Sequence, residues 1–269
     1  MSIEDVWAYP SPPERKYRKA ADSKAQLIAA GRELLAERGL APGLSRVTLN
    51  DAIERSGIPR SSAYRLYSGG PGPLESFRIA LLESVSDDHL SREMSWDRVE
   101  ELTTSFEDDL ESGDAVRMAS ALREIIRTGV AATFSNWVDS TGFYVVASTI
   151  IAASSPGADA QADLDLMRTG VEGLVSRIIP TYRGIANAAG LRLRQPMTWD
   201  QFGRIVAAGV DGVAMRNVVD PSLSSIERPT GPNGEMQEWS AAAMLVESLV
   251  RSHFEADPNR VTAADLNSW

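Results

Sequence analysis

The sequence has no cysteine, and its 269 residues include only two histidines, His89 and His253. Without cysteine, a disulfide framework and thiolate chemistry are both excluded. The two histidines stand far apart and lack the spacing of a metal site, so we interpret them as surface or capping side chains. No combination of nucleophile, base and orienting group is visible either. We therefore expect no metal, no cofactor, no catalytic residues and no enzymatic activity.

Long hydrophobic runs are also missing. The most apolar segment, residues 142–153, is too short to cross a lipid bilayer. The start of the chain lacks the apolar core of a secretory signal peptide. These two absences predict a cytoplasmic protein that has no membrane partner.

Acidic side chains are absent between Arg55 and Leu74, although the formal net charge of the chain is -10 and its isoelectric point is about 4.8. Residues 14–70 hold 11 Lys or Arg against 6 Asp or Glu, a net charge of +5, whereas residues 71–269 hold 16 against 29, a net charge of -13. A basic module on an acidic body attracts a polyanion locally while the body discourages indiscriminate binding. This charge distribution predicts contact with a polyanion.

Helical periodicity runs through nearly the whole chain, and no segment alternates convincingly as a strand. The fold class that we predict is all-α, with a first helix beginning near Ser23. The Pro, Gly and Ser content of residues 220–234 indicates a long exposed loop, followed by a helix over residues 236–256. We predict a disordered arm with a basic end over residues 1–22, a first helical domain over 23–92, a second helical domain over 93–258 and a tail over 259–269.

Residues 48–67, TLNDAIERSGIPRSSAYRLY, predict two short helices joined by a tight turn. Thr48 suits the N-cap of the first helix, and Asp51 suits its first turn, where a carboxylate is favourable to the helix dipole. Gly57 follows at a position where a left-handed cap favours glycine, and Pro59 suits the first position of the next helix. The outward face of the second helix then carries two arginines that flank hydroxyl groups, a composition typical of a groove-reading surface.

The first third of the chain resembles the tetracycline-repressor (TetR) family of bacterial regulators. The resemblance lies in the run AAGRELLAERGL at residues 29–40 and in Thr48, Gly57, Ile58 and Tyr64. A later stretch, DGVAMRNVVDP at residues 211–221, is similar to the end of the family's penultimate helix. The resemblance implies an N-terminal helix-turn-helix DNA-binding domain and a C-terminal helical bundle that binds a ligand and dimerises. It also implies a homodimeric transcriptional repressor that a small apolar effector releases from a double-stranded DNA operator.

Three departures from the family pattern fall within the DNA-reading region. The loop over residues 40–47 is longer than usual, Leu66 replaces a polar or aromatic group, and SGGPGP at residues 68–73 replaces the segment that usually supplies a lysine at the fourth helix. These departures favour an alternative, in which a TetR-like fold acts as a protein-interaction or ligand-binding module with weakened DNA reading. A helical enzyme or binding protein is a further alternative, disfavoured by the missing catalytic set.

The predicted functional residues form three groups. We expect Arg60 and Arg65 to contact base edges or phosphates, and the remaining members of the DNA group to anchor phosphates or add peripheral charge. The predicted DNA-binding residues are Lys24, Arg46, Thr48, Arg60, Ser61, Ser62, Tyr64 and Arg65.

The other two groups lie in the second domain. An apolar patch with two arginines one helical turn apart predicts the effector site, and an apolar stripe with small residues on the following helix predicts the dimer interface. The same spacing is also typical of ordinary core. The predicted ligand-binding residues are Met118, Arg123, Ile126, Arg127, Phe134, Trp137, Phe143 and Tyr144. The predicted dimer-interface residues are Met167, Val171, Leu174, Ile178, Tyr182, Phe202, Gly209 and Val213.

Overall fold

The computed structural model describes residues 13–38, 47–70, 72–88, 96–140, 143, 147, 161–231 and 234–269. This part of the chain is mostly helical, in agreement with the predicted class. Its helices are α1 (Pro13–Arg38), α2 (Leu49–Ser56), α3 (Arg60–Leu66), α4 (Pro73–Asp88), α5 (Trp96–Ser105), α6 (Glu107–Leu110), α7 (Ala115–Val138), α8 (Gln161–Ala188), α9 (Trp199–Asn217) and α10 (Ala241–His253). Its strands are β1 (Leu191–Leu193), β2 (Ile226–Pro229), β3 (Met236–Trp239) and β4 (Phe254–Ala256).

Helices α1 to α4 share one hydrophobic cluster. Phe77 and Leu81 of α4 are fully buried in it, and Phe77 packs edge-on against Tyr67 at the end of α3, with ring centres 5.5 Å apart. Ala63, the one side chain of α3 that is fully buried, faces the same cluster. The short helix α3 is therefore held by the packing of its neighbours and not by its own length.

Helices α5 to α10 surround a second, larger cluster. Its centre is aromatic, because Phe202 of α9 packs edge-on against Phe254 at 5.1 Å and against Tyr182 of α8 at 6.1 Å. Helix α7 contributes a continuous buried face along its length, from Met118 to Trp137. A smaller cluster at the far end of α7 joins Phe134 and Trp137 to α9 and α10.

Four short strands occur where none was predicted. Strands β2 and β3 form an antiparallel hairpin within the expected loop and the start of the expected helix over residues 236–256, and β1 pairs with β4. Trp239 at the end of β3 is completely buried, and Ser240 then caps α10 by accepting a hydrogen bond from the Ala243 amide at 3.1 Å. Burial of the tryptophan and the serine cap together override the helical pattern of the preceding residues.

Helix α1 begins ten residues earlier than predicted. Residues 13–22 are helical, so the prediction of a disordered arm is wrong for that part, and residues 1–12 lie outside the described chain. Lys, Arg and Ala are good helix formers, and proline is favoured in the first turn, so Pro13 and the basic segment after it extend the helix.

Residues 259–269 fold back onto the body and are not a loose tail. The amide of Ala264 donates to the Ala189 carbonyl at 2.9 Å, and the amide of Asp265 donates to the Ala115 carbonyl at 3.0 Å. At the centre of this contact Gly190 has a φ of 66°, and a Cβ placed on it would lie 2.4 Å from the Thr262 carbonyl oxygen. Only glycine fits at residue 190, because the conformation is left-handed and the space is filled by backbone.

We predict that Gly190→Ala lowers the free energy of unfolding by about 2–4 kcal/mol, because strain at positive φ and a backbone clash act together. Gly113→Ala is the matched control, since Gly113 also has a positive φ, of 70°, but a Cβ placed on it would meet nothing within 4 Å. The control should lose only about 1 kcal/mol. Urea denaturation of both variants measures the difference, and equal losses would contradict the role of the Thr262 contact.

Candidate functional site

The turn between α2 and α3 is fixed by local hydrogen bonds. The Thr48 hydroxyl accepts from the Asp51 amide at 3.2 Å, and the Asp51 carboxylate accepts from the Thr48 amide at 2.7 Å, which confirms the predicted N-cap. Gly57 has a φ of 69°, and its amide donates to the Ile53 carbonyl at 3.0 Å, which confirms the left-handed cap. Pro59 lies one residue before α3 as its N-cap. These contacts set the angle at which α3 leaves α2.

The outer face of α3 presents the predicted polar side chains. Arg60, Ser61 and Arg65 are exposed, whereas Ser62 and Tyr64 are half-buried. The Tyr64 hydroxyl donates to Asn50 Oδ1 of α2 at 3.2 Å, and the guanidinium of Arg60 lies 5.3 Å from the Tyr64 ring centre. Tyr64 therefore braces α3 against α2 and supports Arg60 by a cation–π contact.

The two arginines of α3 have no acidic partner among the described residues, whose ion pairs involve other arginines. Arg55, one helix earlier, is the clearest contrast, because it pairs with both Glu33 and Glu37 of α1. Its pKa is raised by its hydrogen bond to Glu37. The guanidinium groups on the outer face of α3 thus keep their charge available for an anion outside the described chain.

The remaining predicted DNA-binding residues have different surroundings. Lys24 of α1 is exposed, and its Nζ lies 5.6 Å from the centre of the Tyr67 ring. The Thr48 hydroxyl donates a hydrogen bond to the Asp51 carboxylate at 2.6 Å, so Thr48 contributes to the N-cap of α2. Arg46 lies outside the described residues.

A cavity of about 120 Å³ lies between helices α5, α7, α8, α9 and α10. Engineered apolar cavities of about 150 Å³ bind benzene, so a space of this size accepts one small molecule. Its wall is almost entirely apolar. The described residues that line it include Leu122, Ile125, Ile126, Phe134, Trp137, Leu174, Ile178, Tyr182, Phe202, Val206, Val210, Asp211, Val246 and Phe254.

Asp211 is the one acidic residue in the described lining. Its Oδ1 accepts a hydrogen bond from the Trp137 indole nitrogen at 3.1 Å, which is its only hydrogen bond to the described chain. Burial raises the pKa of Asp211 to about 6, and the hydrogen bond from Trp137 opposes this shift. Burial also raises the pKa of Tyr182, to about 12, so this phenol stays protonated. The cavity therefore combines apolar walls with one carboxyl group that titrates close to neutral pH.

The predicted ligand-binding residues separate into two sets. Ile126, Phe134 and Trp137 line the cavity, and Phe143 packs edge-on against Trp137 with ring centres 5.3 Å apart, without lining it. Met118 is buried in the core below the cavity. Tyr144 lies outside the described residues.

Arg123 and Arg127, which were predicted to receive a ligand, do not line this cavity. Arg127 pairs with Glu124 and donates to the Glu238 carbonyl of β3 at 3.1 Å. Arg123 donates to the Ser268 carbonyl at 3.3 Å and lies 5.7 Å from the Trp269 ring centre. Both arginines fasten the hairpin and the last residues to α7, a role that sequence spacing does not reveal.

The described part of the predicted dimer-interface stripe of α8 borders the cavity. Leu174, Ile178 and Tyr182 line the cavity together with Phe202 of α9, and Ile178 and Phe202 are only 3% and 2% exposed. This chain encloses Ile178 and Phe202, so a second chain cannot reach them, whereas Leu174 and Tyr182 line the cavity and are half-buried.

The other predicted dimer-interface residues either contact neighbours within this chain or have side chains outside the described part of the structure. A Cβ on Gly209 would lie 2.5 Å from Leu245 of α10, so this glycine admits a neighbouring helix of the same chain. Val213 packs against the cluster that contains Phe134. The side chains of Met167 and Val171 lie outside the described part of the structure.

Asp211 was not predicted as a site residue, although the sequence carried a signal for it. Val206, Ala207 and Val210 lie on the face of α9 that lines the cavity, and Asp211 lies beside them at the edge of that face. A carboxylate on an apolar helical stripe is unusual, since an acid is rarely buried without a partner.

No family model matches this chain, and no curated protein sequence matches it significantly. Within the described residues, every helix is too short or too polar to pass through a lipid bilayer.

We predict that Asp211→Asn stabilises the protein at neutral pH. The pKa of the native carboxyl, about 6, lies above its ordinary value of 3.8. Native Asp211 therefore holds a proton that the unfolded chain releases, and wild-type stability falls as the pH rises from about 4 to about 6. Asparagine keeps the acceptor for Trp137 without the charge, so the variant should gain about 1–3 kcal/mol at pH 7.

Thermal and urea unfolding at pH 4, 5, 6 and 7 measure this effect. The gain should be close to zero at pH 4 and should grow with pH. A constant gain across the series would contradict the assignment to ionisation of Asp211.

Proposed function

We propose that the chain is a sequence-specific DNA-binding transcriptional regulator whose α2 and α3 form a helix-turn-helix. The observation that carries this proposal is the exposed face of α3, where Arg60 and Arg65 have no acidic partner in the described chain and Arg60 is braced by Tyr64. A rigid helix bearing guanidinium and hydroxyl groups is suited to the major groove, since arginine can contact guanine with two hydrogen bonds. The resemblance of this region to TetR regulators supports the same function.

The charge distribution favours specific over general DNA binding. Residues 14–70 have a net charge of +5, and residues 71–269 have a net charge of -13. Phosphates close to α3 are therefore attracted, whereas duplex that approaches the rest of the body is repelled. Binding should accordingly weaken steeply with salt.

The route from the cavity to DNA runs through α4 in this proposal. Helix α4 packs against α8, which lines the cavity, and its Phe77 and Leu81 form the core beneath α3. A molecule that fills the cavity and displaces α8 would move α4 and thereby change the position of α3. We propose repression relieved by such an effector, as the family resemblance implies.

We predict that Arg60→Ala weakens binding to cognate DNA by about 1–3 kcal/mol and relaxes the preference at one base pair. The measurement is a gel shift on DNA from upstream of the gene, across a salt series. Arg98→Ala is the matched control, because Arg98 is an exposed arginine on α5, remote from α3 in sequence and paired with Glu101. An Arg60 variant that binds like the control would remove this residue from the reading surface.

The salt series also separates the proposal from its alternative. A regulator gives a specific shift with a steep salt dependence. A folded protein without any shift would favour a protein-interaction or ligand-binding module, which is the function that Leu66 and the missing lysine before α4 favour.

A homodimer is part of the proposal, because two half-sites on DNA require two copies of α3. The outer face of α9 offers a surface for twofold pairing, since Ile205 and Met215 of α9, and Val219 just after it, are large exposed apolar side chains. Between them Ala208 and Gly212 are exposed, and a Cβ on Gly212 meets nothing within 4 Å. Small residues at these points let a second helix approach closely.

We predict that Met215→Glu converts a dimer to a monomer, because a charge would be buried without a partner within the contact. Light scattering coupled to size exclusion measures the mass. Val261→Glu is the control, since Val261 is fully exposed but belongs to the C-terminal segment. Retention of the dimer by Met215→Glu would place the interface elsewhere.

A further inference from the structure

The cavity enclosed by α5, α7, α8, α9 and α10 contains the Asp211 carboxyl group, and no described residue of its lining carries a positive charge. Asp211 is the one acidic residue in the described lining, and no basic residue of the described chain lines the cavity with it. Asp211 is half-buried, and its single hydrogen bond to the described chain, from the Trp137 indole, engages Oδ1, so no described donor reaches Oδ2. A partly desolvated carboxylate with one neutral donor is under-compensated, because charged groups in low dielectric require an opposite charge or several hydrogen bonds.

The charge of a molecule bound in the cavity decides whether the ionised Asp211 carboxylate is stabilised or destabilised. An anion would place a second negative charge beside Asp211, which is unfavourable in an apolar enclosure. A purely apolar molecule would exclude water from Oδ2 and offer nothing in exchange. A cation with an N–H group would supply both the missing donor and the opposite charge. The apolar walls meanwhile would contact the remainder of such a molecule.

We infer that the cavity is a binding site for a small amphipathic amine, whose ammonium group pairs with Asp211 and whose apolar body packs among Phe134, Phe202 and Val206. The volume of about 120 Å³ limits the apolar part to about the size of one aromatic ring. The inference rests on the proposed function only in naming this amine as the class of effector, because binding itself needs no DNA.

The shift at Asp211 sets the scale of the effect. Burial raises the pKa of this carboxyl from 3.8 to about 6. A cation that offset most of this penalty would bind about a hundredfold more tightly to the ionised carboxylate than to a neutral group in its place, because each pKa unit corresponds to about a tenfold change in affinity.

The experiment compares four ligands that share one ring, namely benzylamine, benzyl alcohol, toluene and benzoate. Calorimetric titration of the full chain at pH 7.5 measures the affinity of each ligand for the wild type and for Asp211→Asn. We expect benzylamine to bind most tightly and to lose about tenfold to a hundredfold in affinity in the variant. Toluene should bind the variant at least as tightly as the wild type, which verifies that the substitution leaves the cavity intact.

Several results would overturn the inference. For the wild type, these results are that benzylamine binds no tighter than benzyl alcohol or toluene, that benzoate binds most tightly, or that no ligand binds at millimolar concentration. For Asp211→Asn, the contradicting result is an unchanged affinity for benzylamine. A gel shift in the presence of benzylamine forms a separate arm. Binding without release from DNA would refute the effector role while leaving the amine site standing, so the two failures are distinguishable.

Discussion

The close packing of α4 on α1 is the contact on which the arrangement of α2 and α3 depends. A Cβ on Gly31 would lie 3.0 Å from Leu81 and 3.1 Å from Phe77, so the two helices approach as closely as a glycine allows. Phe77 in turn supports Tyr67 at the end of α3, a helix of seven residues that could not persist alone. Because α4 also packs against α8, one helix contacts both the cluster beneath α3 and a helix that lines the cavity.

Features determined by neighbouring residues could be predicted from the sequence. The N-cap at Thr48, the left-handed Gly57 and the outward arginines of α3 each depend on a few adjacent side chains, and the structure has them within one residue of the expected positions. The mostly helical class followed from periodicity in the same way. Strands β2 and β3 could not be foreseen, because they are held by burial of Trp239 and by an ion pair between Arg228 of β2 and Glu247 of α10.

The candidate site was predictable only in outline, since a helical stripe reveals that a face is covered but not what covers it. Ile178 and Phe202 fit the pattern expected for a dimer interface, yet they surround a cavity within one chain. Arg123 and Arg127 have the spacing of a ligand clamp, but distant carbonyl groups occupy them. Asp211 escaped prediction because its significance arises from the walls around it, which come from four other helices.

The buried side chain of Tyr67 is a suitable position for a spectroscopic probe. Its hydroxyl is buried without a hydrogen-bond partner among the described residues. The contacts of Tyr67 described above are made by its ring, which packs against Phe77 and lies below the Lys24 ammonium group. Removal of an unsatisfied buried hydroxyl carries little penalty. A fluorinated phenylalanine in its place would give a fluorine resonance at the junction of α3 and α4, and its chemical shift would report any change in the packing of α3 in solution.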